Sequence, residues 1–207
     1  MKRRTLDVAF SIGGTLLAAM LFVLGLVLSD QASFAETYVT DQLLEQQIEF
    51  PEEYNRGELD VQNSDCLREY AGTKLDSGKK AECYANFYIK THMGHSADDA
   101  GLSGETYSTL GGIVSGLKKD LETATAAGED TTAIEEKIAS ASSLRETMFK
   151  GETLRGLLLT TYGFSIFGDR ADLAKTVCYL GAALLLILSM AGFVHAFTSR
   201  SAEKTVV

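Results

Sequence analysis

The chain has 207 residues, a formal net charge of -9 and a single proline, so it is acidic and has little to interrupt long helices. That charge argues against nucleic acid, whose phosphates recruit basic surfaces. No phosphate-binding glycine loop, dinucleotide fingerprint, nucleophile elbow or metalloprotease helix motif occurs in it, which removes the enzyme classes that those motifs mark.

Residues 1–7 form a short tail with Lys2, Arg3 and Arg4, and residues 8–28 follow as an apolar run. A helix needs roughly 20 apolar residues to cross a bilayer core, so this run is read as a transmembrane helix. A competing expectation is a cleaved signal peptide, with the three bases as n-region and Ser33-Phe34-Ala35 near the cleavage point. The run exceeds the roughly 7 to 15 residues of a typical h-region, which favours a retained anchor.

Small residues recur every fourth position in this run, as Ser11-Thr15-Ala19 and Gly14-Ala18, and such faces let helices approach closely. The matching small pair near the other end is Gly192-Ala196. The expected partner of each run is the other run of the same chain.

The first helix is expected to continue through residues 31–50 on an apolar stripe of Phe34, Tyr38, Leu44 and Ile48, with Pro51 ending it. An irregular acidic stretch with Glu52, Glu53, Glu58 and Asp60 comes next. Cys66 and Cys83 lie 17 positions apart. In an oxidising compartment they can pair, and closing a loop of that size is worth about 3 kcal/mol in the chain-entropy model. Ala81, Tyr84, Ala85 and Tyr88 recur at helical spacing over residues 77–93, with Gly94 placed to cap the helix.

His92 and His95 are three apart and could share a metal if one helical turn carried both, with Asp98 and Asp99 nearby. A helix end at Gly94 would separate them, and no third ligand is defined. The expectation is therefore no metal and no cofactor, with metal binding at His92 and His95 as an alternative.

Tyr107, Leu110, Val114, Leu117, Leu121 and Ala124 alternate in steps of three and four, the seam of a coiled-coil-like helix. Gly111, Gly112 and Gly116 weaken its start, leaving a beginning near Ile113 as an alternative. A turn at Gly128-Glu129-Asp130 leads to a capping box of Thr132 and Glu135. A second helix there, with Ile134, Ile138, Ala141 and Met148 on its apolar face, completes an antiparallel hairpin.

Residues 154–167 are strongly apolar but too short to span, so they are expected to be buried against that hairpin, with a turn at Gly168-Asp169. Lys150, Glu152 and Arg155 surround the start of this segment. They are the candidate partner-binding residues, against the simpler reading of Glu152 and Arg155 as an i,i+3 ion pair. Residues 176–197 form the second transmembrane helix, with Cys178 as a small packing residue and His195 near its end. Residues 198–207 are a tail with Arg200 and Lys204.

Bases outside both apolar runs place both termini in the cytoplasm by the positive-inside rule. The tails hold five bases against two acids, so the total of -9 becomes -12 over residues 8–197. Residues 29–175 are accordingly expected outside the cell membrane. The fold class is all-α: two transmembrane helices flanking an extracytoplasmic helical bundle.

Three ordered elements carry a resemblance: Tyr88-Ile89-Lys90-x-His92, Glu105-Thr106-Tyr107-Ser108-x-Leu110, and Arg145-x-Thr147-x-Phe149 running on through Glu152-Thr153-Leu154-Arg155-Gly156-Leu157. The chain resembles an actinobacterial family of small two-span membrane proteins of uncharacterised function, some of whose members are labelled aromatic ring-opening dioxygenases. The resemblance implies two anchors around a helical outer domain. The dioxygenase label demands an iron site, usually two histidines and a carboxylate. With three histidines in all, one of them in a span, that activity is not carried over.

The expected role is a non-catalytic accessory or assembly subunit of a membrane or cell-envelope complex. Its partners are membrane lipids and a membrane protein, with a homo-oligomer left open. The alternative is an extracytoplasmic ligand sensor that signals through a partner.

Overall fold

A computed structural model describes residues 3–52 and 65–198. Glu53, Glu58 and Asp60 of the acidic stretch lie outside the described residues, as do Lys2, Arg200 and Lys204. The elements are α1 (Arg3–Glu45), α2 (Asp65–Glu69), α3 (Gly78–Cys83), a π-helical segment (Tyr84–Ile89), α4 (Lys90–Asp99), α5 (Tyr107–Ala127) and α6 (Thr132–Thr198). Among the described residues the only β-type pairing is the isolated bridge between Glu49 and Lys74. The all-helical expectation is correct. The chain forms two compact units, one from Met1–Tyr38 with Ser165–Val207 and one from Val39–Phe164.

In the first unit α1 and α6 run antiparallel in close contact. A Cβ on Gly14 would overlap the Ser189 hydroxyl, one on Gly192 would overlap that of Ser11, and one on Gly25 would sit 2.6 Å from the Tyr179 ring. Near the helix ends Arg4 lies over the Phe197 ring, and His195 Nδ1 is 3.3 Å from Asp7 Oδ2. The expected pairing of the two small-residue faces is thus present in the structure.

Its spacing differs from the every-fourth pattern. Ser11, Ala18, Gly25 and Ala32 are buried at intervals of seven, as are Ala182, Ser189 and Ala196. Thr15 is only half-buried and Ala19 is exposed. A seven-residue repeat keeps one seam facing its partner over many turns.

Both helices contain windows apolar enough to cross a membrane, and only 17% and 11% of those windows is buried. The core helix of a soluble protein would hide most of such a window. Here Phe10, Leu16, Met20, Val23, Leu180, Leu184 and Ile187 point outward. Small residues inside and large apolar residues outside make the surface of a membrane protein.

Several boundaries depart from expectation. α1 stops at Glu45, before Pro51, with Gln47 in the left-handed region at φ 54°. Tertiary pairing takes over: the Phe50 N–H donates to the Thr73 carbonyl and the Leu75 N–H to the Ile48 carbonyl. Phe50 is thereby buried, with the Tyr70 and Tyr84 rings packed edge-on at 5.7 and 5.3 Å. The expected stripe of Phe34, Tyr38 and Leu44 faces outward, while Ala32, Ala35, Val39 and Leu43 are buried.

Gly94 does not end its helix, because α4 runs on to Asp99. The stop is at Gly101 (φ 67°), where the Gly101 N–H donates to the Asp98 carbonyl and the Leu102 N–H to the Ala97 carbonyl. That is a Schellman ending, and Leu102 packs in the same cluster as Ala97.

α5 starts at Tyr107, not near Ile113, because Thr106 and Thr109 form a reciprocal capping box. Gly128, in the left-handed conformation, closes it as expected. At the start of α6 the cap is shifted by one residue. The Thr131 hydroxyl donates to Glu135, and Asp130 accepts from both the N–H and the hydroxyl of Thr132. Those two bonds hold the Asp130 carboxyl below its ordinary range.

α6 has no turn at Gly168-Asp169 and runs 67 residues without interruption. Gly168 instead allows close helix approach, since a Cβ there would lie 3.0 Å from that of Ala35. The expected burial of residues 154–167 holds only for one face. Leu158 is buried, with Leu154 and Leu159 partly so, in a cluster with Val39, Leu43, Phe50 and Leu75. Leu157 and Phe164 are exposed. The hairpin core is separate and consists of Leu110, Leu144 and Met148 with Ala97 from α4.

Candidate functional site

The disulfide between Cys66 and Cys83 is formed, with the Cα atoms 6.1 Å apart. It joins the five-residue α2 to the end of α3, and both Leu67 and Cys83 belong to the buried cluster. Cys178 is free and half-buried on α6.

Directly after Cys83 the helix widens into the π segment. Single π turns inside α-helices are rare and often mark functional positions. This one carries an aromatic ladder: the Tyr84 and Tyr88 rings stack at 4.5 Å, and the His92 ring meets Tyr88 edge-on at 4.5 Å. The ladder lines a cavity of about 350 Å³ together with Met93 of the same helix and Lys150, Gly151 and Leu154 of α6. A Cβ on Gly151 would lie 2.6 Å from the Met93 sulfur, so a side chain there would have to displace the flexible end of Met93.

Lys150, Glu152 and Arg155 do not form one patch. Lys150 lines the cavity and pairs with Glu146 at 2.8 Å, which holds the Glu146 carboxyl below its ordinary range. The Tyr107 N–H donates to Glu152 Oε1 at 3.4 Å, so Glu152 reaches the start of α5. Arg155 turns the other way, its Nε donating to the Ala85 carbonyl at 3.0 Å and a terminal nitrogen to Asn86 Oδ1 at 3.3 Å. The Glu152–Arg155 ion pair is replaced by two long-range anchors, one to α5 and one to the π segment.

Replacing Arg155 with Met keeps the apolar stem but removes both donors. A loss of about 1.5–3 kcal/mol is expected from removing hydrogen bonds made by a charged donor. Thermal unfolding of the full chain in detergent, with hydrogen exchange over residues 84–91, checks it; unchanged protection there would show that Arg155 does not hold the segment.

His92 and His95 share one continuous helix, contrary to the expected break at Gly94. Even so, no group of three or more His, Cys, Asp or Glu able to hold a metal occurs among the described residues. His92 lines the aromatic cavity, and His95 does not.

A second cavity of about 340 Å³ lies on the α5–α6 hairpin, lined by Tyr107, Val114, Lys118, Ser142, Arg145, Glu146 and Phe149. The Arg145 guanidinium sits over the Tyr107 ring at 4.3 Å, and a Cβ on Gly111 would touch its Nε at 3.5 Å. Arg145 opens one of the elements that carry the resemblance, but by helix position both it and Lys118 read as ordinary exposed charges. The one signal in the sequence is Tyr107 and Gly111 four apart on one face, a flat slot for a planar cation.

Comparison with family models, curated proteins and solved structures finds no match to this chain.

Proposed function

We propose that this is a non-catalytic integral membrane protein, an accessory or assembly subunit of a membrane or cell-envelope complex. In this reading both termini are cytoplasmic and residues 29–175 face the outside. The disulfide supports that side, because such bonds persist in oxidising compartments. The family resemblance points to the same two-anchor plan and is part of the proposal.

One observation carries the reading: large apolar residues are exposed on the paired helices outside the apolar runs. Phe167 is 75% exposed, Leu173 57%, Phe34 55% and Tyr38 50%. Phe34 and Tyr38 stack as one exposed pair, and exposed apolar patches mark a protein or membrane contact. Phe167 lies nine positions before residue 176, on the order of 13 Å along a helix, which is beyond the hydrocarbon core. A neighbouring membrane protein is the partner that covers it.

A photo-crosslinking amino acid in place of Phe167, used in intact membranes and read by mass spectrometry, should capture the same partner reproducibly. Lipid adducts alone, with a lone monomer on native purification, would sink the proposal.

The aromatic cavity supports a second reading, a ligand sensor that signals through its partner. Ligand-dependent thermal shifts of the full chain would favour it over the first.

A further inference from the structure

We propose that the α5–α6 hairpin carries a binding site for a small monocarboxylate with a flat apolar body, centred on Arg145. The site goes beyond partner binding and does not depend on it. Its core is an electrostatic imbalance. The Arg145 Nε is buried without a hydrogen-bond partner, and no carboxylate among the described residues pairs with the guanidinium. The guanidinium charge is therefore uncompensated, and with Nε covered the terminal nitrogens are the donors open to a ligand.

Two acids of the hairpin are engaged elsewhere. Glu146 is held by Lys150, and Glu152 accepts from the Tyr107 backbone. Arginine presents a planar fork of donors that matches a carboxylate bidentately. Here that plane is set by the Tyr107 ring on one side and the Gly111 backbone nearby.

The rest of the cavity defines the ligand. Lys118 adds a second cation and Ser142 a hydroxyl donor, while Tyr107, Phe149 and Val114 supply an apolar wall. The Tyr107 and Phe149 rings stand 5.4 Å apart at 48°, which suits a flat body laid against one of them. Glu146 also lines the cavity, and its charge disfavours a dianion. The volume of about 340 Å³ fits a small ligand.

The test uses the full chain in detergent micelles, with benzoate as probe and benzamide as its neutral isostere. Titration is followed by NMR at the arginine Nε–H signals, with Arg145 assigned through Arg145→Lys. Benzoate should shift the Arg145 signal saturably and benzamide should not. Arg145→Gln should weaken binding about tenfold or more, as expected for loss of a charge-assisted pair. Lys118 is exposed, so Lys118→Gln will fold and should weaken binding by about threefold, a smaller share of the same charge effect. Non-saturating shifts, equal response to benzamide, or benzoate binding unchanged in Lys118→Gln would each overturn the proposal.

Discussion

Replacing Cys66 and Cys83 with alanine is expected to lower the stability of residues 39–164 by about 3 kcal/mol. The entropic part follows from the separation of 17 residues. The structural part follows from α2, whose five residues are far below the length at which a helix persists alone. Without the bridge α2 is held by the burial of Leu67 and by the packing of Tyr70 against Phe50. Loosening it exposes Phe50, the Tyr84 edge and then the π segment that starts one residue after Cys83. Hydrogen exchange in detergent should therefore rise over residues 65–91 on reduction or double substitution, while protection in the paired apolar helices stays unchanged. Equal stability of oxidised and reduced protein would show that packing alone holds α2.

The sequence is most informative where chemistry is local. The two apolar runs, the cysteine pair and the hairpin seam are each written in a single residue type or period. The helix ends show why the rest is harder to read. Gly94 and Gly101 look alike as stop signals, but only Gly101 is followed by an apolar residue, Leu102, that can fold back onto Ala97. Gly94 is followed by His95, and the helix gains more by continuing.

The early end of α1 is set by Thr73 and Leu75, more than twenty residues away, so no local pattern near Pro51 could reveal it. Arg155 and Glu152 illustrate the same limit in the candidate site. Their i,i+3 spacing favours a local ion pair, yet partners 70 and 45 positions distant take them instead. The phase of the α1 stripe comes out wrong when apolar size is taken as the mark of burial. Next to the span the buried face carries the small residues Ala32 and Ala35, as in closely packed membrane helices, and farther on Val39 and Leu43 turn into the cluster with Phe50.

Gly25→Leu should break the tight approach of α1 and α6, because an added Cβ would lie 2.6, 2.8 and 3.1 Å from three atoms of the Tyr179 ring. A ring cannot yield as a flexible side-chain tip can, and Phe22 packs against this one at 5.8 Å. Overpacking of this kind is worth about 1–3 kcal/mol. Lipid supplies little compensation, since association in a bilayer depends on close packing rather than on hydrophobic burial.

The same helix provides the control: Gly13 has nothing within 4 Å of its virtual Cβ, so Gly13→Leu should be tolerated. A proximity assay reads the difference. The Cβ that Gly14 would carry lies 3.7 Å from that of Ser189, within the range of a disulfide. In a Cys178→Ala background, Gly14→Cys with Ser189→Cys should crosslink readily in oxidised membranes. Adding Gly25→Leu should slow that crosslink sharply, and adding Gly13→Leu should not. Equal crosslinking in both would mean that the helices do not rely on the glycine at position 25, and the seven-residue seam would lose its main support.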